Sequence, residues 1–94
     1  MNVYFLVSKE VEIVEDYVEW TPITHPGVFI GFVVAPYPGK AREWFMLKHS
    51  EVAEPSQFHT VKRIARGDYE PGYVDYENAP PIWQSIATGI MSNE

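Results

Sequence analysis

The chain has 94 residues, no cysteine, 46% apolar and 15% aromatic content, and a formal net charge of −6. It is one domain, too apolar to be disordered, and short enough to bury only roughly 60–65% of its unfolded surface, so self-association would help it. The lack of cysteine excludes disulfides, thiolate nucleophiles and cysteine metal sites, and fits a reducing cytoplasm.

The opening residues, MNVYFLVSKE, have no basic stretch of the kind that begins a signal peptide. No run approaches the ~18 apolar residues of a membrane span. The expectation is a cytoplasmic protein without membrane association. Residues 2–7 (NVYFLV) form a continuous apolar run that suits a strand covered on both faces. Residues 8–10 suit a turn. Residues 11–20 alternate as a strand until Val14 breaks the phase, which a β-bulge repairs; helical spacing through Val11, Val14 and Val18 also fits in part. Residues 21–27 (TPITHPG) hold two prolines and a glycine and read as a loop.

Residues 28–35 (VFIGFVVA) are the most apolar run and read as the central strand, with Gly31 marking a bend, a bulge or a close backbone approach. Pro36-Tyr37-Pro38-Gly39 then reads as a tight turn and residues 42–48 as a returning strand, which makes 28–48 a hairpin. A loop follows through Ser56. Residues 58–66 (FHTVKRIAR) fit a strand or a helix, the alternation favouring the strand. Residues 68–72 are a turn and 73–76 a short edge strand. Asn78 suits a cap for a C-terminal helix, with Ile82, Ile86 and Ile90 at four-residue spacing and Trp83, Ala87 and Met91 beside them. The expected fold is mainly β: a small antiparallel barrel or curled sheet of five to six short strands, Sm-like or SH3-like, with one C-terminal helix.

Charge is unevenly placed. Residues 1–39 carry a net −4, residues 40–66 a net +3, and residues 67–94 a net −5. The plain reading is that the bases of the middle pair with the flanking acids. The sharper reading is a phosphate-binding face, with Lys62, Arg63 and Arg66 on phosphates, Lys40 adding charge, and Tyr37, Trp44 or Tyr69 stacking on bases. Taken singly, each of these aromatics is more simply a core or rim residue. No glycine-rich phosphate loop or nucleophile elbow is present, and His25, His49 and His59 lack metal-ligand spacing. Neither Glu12/Glu15 nor Asp75/Glu77 stands out as an acid–base pair in so acidic a chain. The expectation is a protein that is not an enzyme and uses no cofactor or metal.

At Ile64-Ala65-Arg66-Gly67-Asp68 the chain resembles the second signature of the Sm/LSm family, in which a strand ends in Arg-Gly-Asn/Asp before a last short strand. The resemblance implies a ring-forming barrel with Arg66, Gly67 and Asp68 near bound RNA. The Asp-x-apolar-Asn loop of the first signature is absent, Pro36-Tyr37-Pro38-Gly39-Lys40 standing there instead. Two functions follow as expectations. One is a homo-oligomer that binds RNA or single-stranded DNA. The other is an acidic protein-binding module or inhibitor of the small phage-encoded type, in which Glu10, Glu12, Glu15, Asp16, Glu19 and the acidic tail meet a basic protein.

Overall fold

A computed structural model describes residues 1–92. Six strands and two helices run in the order β1 (Asn2–Ser8), β2 (Val11–Val18), β3 (Thr21–Gly27), β4 (Ile30–Ala35), α1 (Pro38–His49), β5 (Phe58–Arg66), β6 (Gly72–Asp75), α2 (Pro81–Ser92), with a single 3-10 turn at Tyr76–Asn78. Strands β5-β1-β4-β6 form a four-stranded sheet in that order, all neighbours antiparallel, while β2 and β3 pair only with each other. The fold is therefore antiparallel and mainly β with a C-terminal helix, and the sheet is open, not closed into a barrel.

The two pairs form one ribbon. β1 and β4 are in register from Asn2↔Ala35 to Val7↔Ile30, and β2 and β3 continue from Val11↔Gly27 to Val18↔Thr21. At the junction Ser8 replaces the regular ladder: its N–H donates to Phe29 O (2.9 Å) and its Oγ accepts the Phe29 N–H (2.8 Å). The hairpin expected at 28–48 is in fact this longer one, spanning residues 2–35.

The base of the ribbon is buried on both faces, as the unbroken apolar runs of β1 and β4 require. On one face Val3, Phe5, Phe32 and Val34 pack under Trp83 and Ala87 of α2. On the other, Tyr4, Leu6, Val33 and Ala35 pack under Ala41 and Phe45 of α1. Gly31 sits within β4 because the Tyr73 hydroxyl lies over it: a Cβ there would fall 2.2 Å from that oxygen. Of the three meanings open for Gly31, close approach is the one that holds.

Three segments differ from expectation. Residues 38–49 are helix, not a turn and a strand. Pro38 occupies the first turn, where its missing N–H costs nothing, and Ala41 and Phe45, four apart, supply the buried stripe. The apparent alternation Glu43/Phe45/Leu47 misleads, since Leu47 is exposed. Residues 21–27 are strand, not loop. Val14 donates its N–H outward to Val52 O, so its partner Thr24 also points its N–H away from β2. Pro22 and Pro26 lie two residues either side of Thr24 and share that outward edge, where no donor is needed. The C-terminal helix forms, but Asn78 does not cap it. Asn78 ends the 3-10 turn, and the Gln84 amide donates to Tyr76 O, Glu77 O and Ala79 O. The inward stripe of α2 centres on Trp83 and Ala87, with Ile82 exposed.

Residues 11–18 and 58–66 are strands, and the phase break after Val14 is a bulge: Val14 pairs with Thr24 and Asp16 with Ile23, leaving Glu15 extra.

Candidate functional site

The ribbon leaves the sheet at the Ser8/Phe29 end and becomes an arm. Its lower part is braced by the 50–57 connection, through Lys9 N–H to Gln57 O (3.0 Å) and Val14 N–H to Val52 O (2.8 Å), with Pro55 fully buried beneath. Above that brace every residue from 15 to 26 is exposed. The arm makes the molecule 48 × 26 × 22 Å, with a radius of gyration of 14.1 Å, against about 12 Å for a compact chain of this length.

At the tip, Glu19 and Trp20 have φ of +48° and +70°. Two consecutive left-handed residues make the two-residue turn whose twist matches a β-ribbon, and Asn-Gly is the usual pair there. Using Glu and Trp holds side chains in a region they avoid, which is strain of a kind that gathers at functional positions. Trp20 is 97% exposed, and Tyr17, Val18 and Ile23 beside it are also open to solvent. Among them stand Glu15, Asp16 and Glu19. Glu15 lies 3.5 Å from His25 Nδ1, an ion pair only when the imidazole is protonated. The tip is thus an acidic rim around exposed aromatic and aliphatic side chains.

The opposite end of the ribbon holds part of the basic middle. β5 carries bulges at Ile64 and at His59, where the register with β1 shifts. The extra residue at Ile64 puts Arg63, opposite Tyr4, and Arg66, opposite Asn2, on the α1 face together. They line a shallow polar groove with Met1, Asn2 and Pro36, and the Asn2 side chain donates to Pro36 O (3.1 Å). Among the described residues neither arginine is ion-paired.

The other residues expected at a nucleic-acid site are dispersed. Lys62 stands opposite Phe5, on the α2 face. Tyr69 packs edge-on against Trp83 of α2 (5.3 Å), also on that side. Trp44 is half-buried against the α1-side core. Lys40 bonds Glu43 (3.1 Å), which holds its ammonium pKa above the ordinary value. Gly67 exchanges backbone hydrogen bonds with Met1 as the last rung of the sheet, and Asp68 follows, exposed. Tyr37 is half-exposed at the start of α1, next to Pro36 of the groove. From that set the structure brings Arg63 and Arg66 into one groove, with Tyr37 one residue along the chain from its Pro36 wall.

A second cluster joins α1 to β6. The His49 ring stacks on Phe29 (4.0 Å), and its Nε2 lies 3.3 Å from the Tyr73 hydroxyl, which also bonds Ile30 O (3.4 Å). Lys48 Nζ lies 5.6 Å from the centre of the Tyr73 ring. Burial pushes the Tyr73 phenol up to about 12, with Asp75 adding to the effect, so it remains a donor at neutral pH. Burial, and then Lys48, pull His49 below its ordinary value, which favours the neutral imidazole. The pair is a structural brace that no spacing in the sequence announced. No group of three or more potential metal ligands occurs among the described residues.

Compared with known protein families, curated proteins and solved structures, the chain matches none of them. None of the helices described is long and apolar enough to cross a membrane.

Proposed function

We propose that this protein is a binding module whose acidic hairpin arm docks onto a basic protein surface. The observation that carries this reading is the tip: Trp20, 97% exposed on strained backbone, with Glu15, Asp16 and Glu19 exposed on the same arm. A large aromatic with little internal packing, set among charges, is the composition of an interface anchor. The surrounding carboxylates would steer the arm to a basic partner and select against acidic ones. A photo-crosslinking side chain at position 20 tests the reading. Crosslinks to a basic protein surface, suppressed by Glu15→Lys/Asp16→Lys, support it; absence of any crosslink at that position sinks it.

A second reading rests on Arg63 and Arg66 sharing one groove: single-stranded RNA or DNA would lay phosphates there, with Tyr37 available to stack on a base. The Sm/LSm resemblance at Arg66-Gly67-Asp68 belongs with this reading. The net charge of −6 and the helices covering both sheet faces weigh against it. Fluorescence anisotropy with labelled single strands at two salt concentrations tests it, since phosphate contacts must weaken as salt rises.

A further inference from the structure

We infer that the basic surface met by the arm is the Arg63/Arg66 groove of a second copy of this chain, so that copies associate head to tail. The inference rests on the arm being a docking element, and it adds the identity of the partner.

Three observations carry it. First, the two charged features lie at opposite ends of one axis. β1 runs from Asn2 at the groove to Ser8 at the root of the arm, so the ribbon has a basic end and an acidic end. Within one copy the tip cannot fold back onto the groove, because the whole sheet lies between them. Between copies, the same layout aligns opposite charges.

Second, the two ends match in kind as well as in sign. The tip presents Trp20 and Tyr17 with Glu15, Asp16 and Glu19. The groove end presents Arg63 and Arg66, neither ion-paired among the described residues, with Pro36, and the half-exposed Tyr37 follows Pro36 in the chain. A guanidinium lies favourably over an indole face, and the proline and tyrosine offer flat apolar surface for it to rest on. Carboxylates beside the indole then meet the guanidinium forks. Two further recesses, one lined by Met46, Leu47 and Ala53 and one by His49 and Tyr73, are worse seats for the arm of a like copy, because Glu43 and Glu54 flank the first and Asp75 and Glu77 the second and would repel an acidic tip.

Third, sheet extension along the arm is hindered. Pro22 and Pro26 remove the donors on either side of Thr24 from the outer edge of β3, and Val52 occupies the edge of β2 at Val14. Tip-to-groove docking makes no demand on either edge. Joined end to end it is heterologous and leaves a free groove on one copy and a free tip on the other, so it propagates into a ring or an open chain.

Analytical ultracentrifugation of the full chain, over a concentration series at low and high salt, tests this. Wild type is expected to form concentration-dependent species larger than a dimer at low salt that dissociate as salt rises. Glu15→Lys/Asp16→Lys and Arg63→Glu/Arg66→Glu, all at exposed positions, should each be folded and monomeric alone. An equimolar mixture of the two should reassemble, because each basic arm then meets an acidic groove and each acidic arm a basic one. A wild type that stays monomeric at millimolar concentration and low salt overturns the inference, and so does a mixture that fails to reassemble. The position-20 crosslinker separates the two claims. Capture of a different protein by a monomeric wild type refutes self-assembly and leaves the arm reading standing; capture of nothing removes both.

Discussion

The ribbon is buried on both faces at its β1/β4 end and exposed on both faces at its β2/β3 tip. In β1 and β4 the pairs Val3↔Val34 and Phe5↔Phe32 lie under α2, and Tyr4↔Val33 lies under α1. In β2 and β3, Asp16↔Ile23, Tyr17↔Pro22 and Val18↔Thr21 lie under nothing. Pairing is continuous through both regions, so cross-strand hydrogen bonding alone does not set burial. Flanking strands and helices do. The base supplies stability; the arm, freed from that task, tolerates charge, proline and a strained turn.

Substitutions can break this division of labour or sharpen it. The largest effect on stability is expected from Phe5→Ala. Phe5 is fully buried, 5.4 Å from Phe32 and 6.5 Å from Tyr76 by ring centres, and its truncation should cost about 3–5 kcal/mol in denaturant unfolding. Gly31→Ala comes next. Its new methyl must displace the Tyr73 ring and with it the bond to His49, a cost of about 1–3 kcal/mol by the same measurement. If Gly31→Ala proves neutral, the close approach of Tyr73 is not what requires a glycine there.

A smaller effect is expected from pH. His49 titrates below its ordinary value of 6.5 in the folded chain, so the unfolded chain takes up the proton first as pH falls. The stability tied to a neutral His49 is fully present above about 6.5 and is lost as pH falls through the lower folded value. Melting curves from pH 8 to pH 5 should therefore fall less steeply for His49→Gln than for wild type; parallel profiles would show that His49 does not contribute.

The smallest effect on stability belongs to Trp20→Gly. Glycine relieves the positive φ of +70° but adds freedom to the unfolded chain, so the two contributions roughly cancel, to within about 0.5 kcal/mol. The same variant should lose assembly altogether. Amide hydrogen exchange gives the comparison residue by residue: rates for 16–23 should be near those of open chain, while those for 3–6 and 32–34 should report global unfolding.

Burial left a plain trace in the sequence wherever both faces of an element were covered. The apolar runs 2–7 and 28–35 were legible for that reason; the alternation of 58–66 and the amphipathic C-terminal helix were legible as elements, though the helix turns Trp83 and Ala87 inward and leaves Ile82 of the expected isoleucine stripe exposed. The phase break after Val14 announced its bulge, and Gly31 announced an approach. The signal failed where covering was one-sided or absent. α1 buries only Ala41 and Phe45 fully, too few to outweigh a Pro-Tyr-Pro-Gly start. β3 buries none of its residues, so its prolines dominated the pattern, and only pairing with β2 shows that they fall on the outward edge. At the candidate sites, Arg63 and Arg66 were visible as charges, but their sharing of a face depends on the Ile64 bulge. The tip of the arm was visible as acid, while the exposure of Trp20 follows from the turn alone.

The Ser8–Phe29 junction gives the ribbon a mechanical meaning. A pull on Trp20 passes along β2 and β3, through that junction, into the two central strands. There it meets the ladders to β5 and β6 along their length, so their hydrogen bonds must slide together and cannot peel one at a time. The groove that would hold the next copy lies at the far end of the same strands. A chain of such molecules would carry tension from tip to groove through its most deeply buried backbone, with loops and helices bearing almost none of it.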